Sequence, residues 1–130
     1  PAETTMAPTP PSLDRTAWNA IQALQRPGQP DILATVLAQY LVDSRTLVEH
    51  IREAIASGNP HVVYEAAHRL KSSSAQLGAL ATAAHCTNLE SLARKSKLDA
   101  VTPLLEPLTS SHRAACEVME VELRNRTPRE

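Results

Sequence analysis

The chain has 130 residues and a formal net charge of −1, with 42% hydrophobic and 21% charged residues, enough for one domain with a core and too few for two. So small a charge argues against a general binder of nucleic acid or of anionic membrane, since neither polyanion is attracted strongly. No apolar run approaches the ~20 residues that span a bilayer, and the polar, Pro-rich start carries no secretory signal pattern. Aromatics make up 2% with no Phe, and three Gly stand against ten Pro. Abundant Ala and Leu lose little on entering a helix, so an all-α domain is expected. Two cysteines, Cys86 and Cys116, do not make a disulfide framework; they are expected to be reduced, which fits a cytoplasmic setting.

Residues 1–12 are rich in Pro and Thr and read as a linker or tail, and residues 127–130 as a second tail. A chain that opens at Pro1 with such a stretch is expected to be a fragment or processed piece, the last module of a longer protein. Between the tails, 13–126 reads as one helical bundle. Ser12 or Asp14 can cap a first helix carrying Leu13, Ala17, Ile21 and Leu24, which stops at Arg26-Pro27-Gly28-Gln29-Pro30. Asp31 can cap a long second helix whose stripe is Leu33, Val36, Leu37, Tyr40, Leu47, Val48, Ile51 and Ile55. Gly58 is placed to end it, and Asn59-Pro60 to start a third helix as N-cap and first helical residue, running to about Leu77. A fourth helix is expected over 79–96 with Leu80, Ala83, Cys86, Leu89 and Ala93 on one side. Thr102-Pro103 opens a fifth with Leu105, Leu108, Ala115, Val118 and Met119; Pro107 demands a kink or a later start. Short loops between such helices predict an antiparallel four-helix bundle with a short N-terminal capping helix.

The third helix carries the chemistry. On a wheel of ~100° per residue, Val63, Ala66, Leu70, Ser74 and Leu77 gather toward the core, and His68 lies about 180° from Leu77. Tyr64, Lys71, Ser72 and Ala75 share the face of His68. The result is an exposed His with a cation one turn away, on a floor of small residues. A neutral imidazole is a competent nucleophile near pH 7, and Lys71 can offset the charge of phosphoryl oxygens. Such a site needs no metal or base of its own if a partner brings the reacting carboxylate and its metal ion.

The run His68-Arg69-Leu70-Lys71-Ser72-Ser73-Ser74-Ala75-Gln76-Leu77-Gly78 resembles the signature of histidine-containing phosphotransfer (HPt) domains: His, a variable residue, an apolar residue and Lys, then small residues, an apolar residue and Gly. Cys86, Leu89-Glu90 and Ala93-Arg94 resemble the family's next helix, and the likeness extends over about 13 to 124. It implies that His68 is the phosphoryl acceptor and Lys71 the cation beside it. It also implies that Tyr64, Arg69, Ser72, Ala75 and Gln76 meet the partner, that Glu90 orients the imidazole, and that Gly78 lets adjacent helices approach. Two positions depart from the pattern: Ser72 stands where Gly is usual and Gln76 where Asn is frequent, so the docking surface is slightly fuller. The implied partners are response-regulator receiver domains, the implied role a phosphorelay intermediate between two of them. No cofactor is implied on this chain, with Mg²⁺ on the receiver. The implied setting is cytoplasmic, or the cytoplasmic part of a membrane-bound bacterial hybrid sensor kinase of which this is the C-terminal module, monomeric when isolated.

Blander readings stand beside these. His50, His61, His85 and His112 read as surface or bundle-edge residues, and Arg94, Lys95 and Lys97 as a solvated helix end that complements the dipole. His85-Cys86 point to different sides of a helix and no C-x-x-C or H-E-x-x-H accompanies them, so no metal site is expected. The alternative function is a helical adaptor that binds a partner through the same helix without phosphotransfer. A histidine-kinase dimerisation segment expects an acidic residue after the His and a Thr-Pro beyond; Arg69 and the Ser run stand there, and no Gly-rich ATP-binding segment exists. The chain is therefore read as a phosphoryl carrier and not a kinase.

Overall fold

A computed structural model describes residues 13–126. The expected linker, the expected C-terminal tail and Ser12 as a cap lie outside the described residues. Six α-helices follow in order: α1 Thr16–Gln22, α2 Ile32–Ala56, α3 Pro60–Gln76, α4 Leu80–Arg94, α5 Leu98–Val101 and α6 Leu105–Arg126, with a 3-10 turn Thr102–Leu104 before α6. Among the described residues there is no strand. The four long helices form a closed ring in which α2 packs on α3, α3 on α4, α4 on α6 and α6 back on α2.

The predicted caps set the registers. Asp31 accepts from the N–H of Ala34 (3.1 Å) and Asn59 from that of Val62 (3.3 Å), each satisfying a donor that the first turn leaves open. Helices α2, α3 and α4 all end in the same turn, with a left-handed residue at Gly58, Gly78 and Ser96 and a backbone bond that reaches back five residues (Asn59 to Ala54, Ala79 to Ser74, Lys97 to Leu92). Pro107 falls in the first turn of α6, where its missing N–H costs nothing: the later start that its position demanded. The preceding residues form α5 and the 3-10 turn, two short elements that the sequence pattern did not separate.

Gly78 works differently from the expectation. Its φ is +80°, and a Cβ there would lie 2.0 Å from the carbonyl oxygen of Asp14. The glycine admits the segment entering α1, whose Asp14 N–H donates to the Gly78 carbonyl at 2.7 Å, and not a neighbouring helix. Beside it the indole of Trp18 donates to the carbonyl of Leu77 at 2.9 Å. These two bonds seat α1 as a cap over the α3–α4 turn. Trp18 is its buried residue, and Leu13 just before the helix is buried too; Leu24, expected inward, is 66% exposed because α1 ends at Gln22 before the stripe completes.

The core is otherwise the predicted one. Leu33, Leu37, Ile51, Val63, Leu70, Leu89, Leu108 and Met119 are fully buried, with Val36, Ile55, Leu105 and Val118 packed partly against them. Two positions are corrected. Leu80, at the first position of α4, is 50% exposed, and Thr82 is buried instead, facing Ser111 of α6. His112, read as an edge residue, is buried, with its ring Nε2 2.7 Å from Ser44 Oγ and 3.3 Å from Cys116 Sγ. Both cysteines are free and buried.

Candidate functional site

Helix α3 turns Val63, Ala66, Ala67, Leu70 and Ser74 into the bundle. That leaves His68, eight residues from either end of α3, on the outer face with its side chain 55% exposed. Tyr40 on α2 helps fix the helix's rotation by pairing with Ser74 Oγ at 2.7 Å inside the core. The rigid helix therefore presents the imidazole, and no loop is involved.

The charged centre of the site comes from α4. The Glu90 carboxylate is only 9% exposed and spans the groove between α4 and α3: Oε2 lies 2.5 Å from His68 Nδ1, and Oε1 2.6 Å from Lys71 Nζ. Burial pushes the Glu90 carboxyl up, but hydrogen bonds from Lys71 and then His68, with the charge of both, outweigh it and hold the group below the ordinary carboxylate range. An ionised carboxylate can only accept, so the ring donates from Nδ1. In the neutral ring Nε2 then keeps its lone pair, and with Nδ1 turned to a buried partner, Nε2 is the edge left toward solvent.

The other expected site residues divide into two groups. Tyr64 stacks on His68, with ring centroids 6.0 Å apart and planes 15° from parallel. Arg69 lines a cleft of about 440 Å³ between α2 and α3, together with Leu47, His50, Tyr64, Glu65 and His68. Ser72 and Ala75 are exposed on the His68 face, and Gln76 is exposed at the last turn of α3. None of these three touches the Glu90 centre in a hydrogen bond or ion pair.

Two features exceed the sequence reading. Glu90 was expected to orient the imidazole of His68, and it also binds Lys71, equally closely. Arg94, read as part of a solvated helix end, lies over the Tyr64 ring at 5.2 Å and donates to its hydroxyl at 3.1 Å. The spacing carried a hint: Glu90 and Arg94 are four apart on α4, hence on one face. Among the described residues no three His, Cys, Asp or Glu side chains gather as a metal site, and no helix is long and apolar enough to cross a membrane.

An exposed imidazole on a bundle helix, bridged by one buried carboxylate to a lysine one turn on, defines a histidine phosphotransfer module. The chain belongs to the Hpt domain family: the family model matches residues 35–126, from the first turn of α2 to the end of α6. The fold is that of histidine-containing phosphotransfer protein B (HptB) from Pseudomonas aeruginosa PAO1, whose crystal structure aligns with a TM-score of 0.83 at 22% identity, over 92% of this chain and 100% of that one. No curated protein matches the chain.

Proposed function

We propose that His68 is the phosphoryl acceptor of a phosphorelay carrier, taking the group from the aspartyl phosphate of one receiver domain and giving it to the aspartate of another. The observation that carries this reading is the bond from His68 Nδ1 to the buried Glu90 carboxylate, with Lys71 on its second oxygen. In the forward step the Nε2 lone pair attacks phosphorus in line. The N–P bond forms as the P–O bond to the receiver's aspartate breaks, and that electron pair leaves with the carboxylate. Because Nδ1 keeps its proton, the phosphorylated ring becomes cationic, and Glu90 lies where that charge develops. Lys71 faces the same charge centre from one turn along α3 and balances the phosphoryl oxygens.

Tyr64, Arg69, Ser72, Ala75 and Gln76 form the surface on which the receiver docks, and the small Ser72 and Ala75 leave room for its phosphoaspartate to reach Nε2. The receiver supplies the aspartate and a Mg²⁺ ion; this chain supplies no cofactor, nucleotide site or kinase activity. It acts on the cytoplasmic side as a monomeric partner of receivers.

Transfer from a phosphorylated receiver tests the reading. Acid-labile, base-stable label is expected on the wild type and none on His68→Gln. Label that persists in the variant sinks the assignment, and a folded wild type that binds the receiver but takes no label favours the adaptor alternative.

A further inference from the structure

We infer that Tyr64 is a positioning residue for His68 and that Arg94 holds it in place; this rests on the acceptor reading above. A single hydrogen bond at Nδ1 fixes one point of the imidazole but still allows the ring to roll about the Nδ1···Oε2 line. A flat wall parallel to the ring removes that roll. Tyr64, one turn before His68 on α3, is such a wall, with its ring 15° from the imidazole plane at 6.0 Å between centroids.

A tyrosine on an open helix face would itself swing between rotamers unless held. Here α4 holds it: the Arg94 guanidinium lies 5.2 Å over the ring and Nη2 donates to the hydroxyl at 3.1 Å. Tyr64 stands between two clefts, one with His68, His50 and Arg69 on the α2 side and one with Arg94, Ser96 and His61 on the α4 side. Both restraints on the imidazole thus come from α4, Glu90 directly at Nδ1 and Arg94 through Tyr64 against the ring face. The wall also serves the product. When the N–P bond forms, the ring becomes cationic, and an aromatic face beside it is attractive to a cation.

The test compares the wild type with Tyr64→Phe, Tyr64→Leu and Arg94→Gln. Each is phosphorylated by a saturating phosphorylated receiver and, separately, by phosphoramidate, a small donor with no docking surface. Loss of orientation is expected to cost Tyr64→Leu about tenfold in maximal rate with both donors. Tyr64→Phe, which keeps the wall, is expected to stay within about threefold, and Arg94→Gln to fall between the two. Thermal melting checks that each variant folds. The His68 ring protons, shifted by the neighbouring aromatic ring in the NMR spectrum, keep that shift in Tyr64→Phe and lose it in Tyr64→Leu. A Tyr64→Leu variant that reacts with phosphoramidate at the wild-type rate, losing only receiver affinity, overturns the positioning role. A wild type unlabelled at His68 overturns the acceptor reading and this inference with it, so the two failures are distinct.

Discussion

Two histidines of this bundle are each hydrogen-bonded to a neighbouring helix, and they share almost nothing else. His68 on α3 is half exposed and bound to a carboxylate that also binds a lysine. His112 on α6 is buried, and its partners are a hydroxyl and a thiol, Ser44 and Cys116. Burial pushes the His112 imidazole down to about 4, with Arg45 adding to the effect. At neutral pH that ring is uncharged, enclosed and out of reach of any partner, so it serves packing. On the acceptor reading proposed above, the Glu90 side matches a ring that becomes cationic in the open. Reactivity is thus set less by the histidine than by the charge and the accessibility of what holds it.

Removing the charged partner is the largest perturbation of this contrast. Glu90→Ala is expected to lower transfer to His68 about a hundredfold, since ring orientation and compensation of the developing charge go together. Lys71 is 33% exposed and can return to water, so the fold should persist. Label accumulation in single-turnover transfer, with a melting curve as control, measures both. A Glu90→Ala protein that transfers at the wild-type rate would dissolve the distinction between the two sites.

The buried site should show the opposite pattern. His112→Ala leaves a void among Tyr40, Ser44 and Cys116 and removes the bond between the ring and the Ser44 hydroxyl, costing about 2–4 kcal/mol in urea unfolding, while transfer per folded molecule is unchanged. The same residue imposes a pH dependence. An unfolded chain takes up a proton near the ordinary histidine value of 6.5, which folded His112 refuses until about 4. Stability is therefore complete above that ordinary value and falls as pH drops toward 4, by about 3 kcal/mol at most. Glu90, held below its ordinary range, acts in the other window: its contribution is present above the usual carboxylate range and is lost only as pH falls through its depressed value. An unfolding series from pH 7 to 4.5 should slope in the wild type and flatten in His112→Ala. An equal slope in both proteins assigns the loss to other groups.

How far this was legible depends on whether a feature lies within one helix or between two. The outer face of His68, the lysine one turn on, and the buried row from Val63 to Ser74 follow from periodicity along α3 alone. Position 112 was legible in the same way: it falls four residues after Leu108 and four before Cys116, inside the apolar stripe of α6, and its polar side chain obscured that. Glu90 is different. That one carboxylate serves two residues of α3 depends on the register between α3 and α4, which the turn at Gly78 sets in space. The same turn leaves Leu80 outside and brings Thr82 in, against the apolar pattern. Trp18 finds its acceptor 59 residues away, at a backbone carbonyl that no side-chain pattern reveals.

The smallest test takes away a neutral partner instead of a charged one. Ser44→Ala removes the hydroxyl 2.7 Å from His112 Nε2 and leaves Cys116 Sγ, at 3.3 Å, as that nitrogen's hydrogen-bond partner. A thiol is the weaker partner, so the expected loss is about 1–2 kcal/mol in urea unfolding, below that of His112→Ala. Transfer to His68 should not change, because nothing in the Ser44 pair touches Glu90, Lys71 or Tyr64. The two partner deletions then read in separate assays: the carboxylate in phosphoryl transfer, the hydroxyl in stability alone. A Ser44→Ala protein that is as stable as the wild type but slower in transfer would mean that the interior pair reaches the surface site through the packing of α2 against α3.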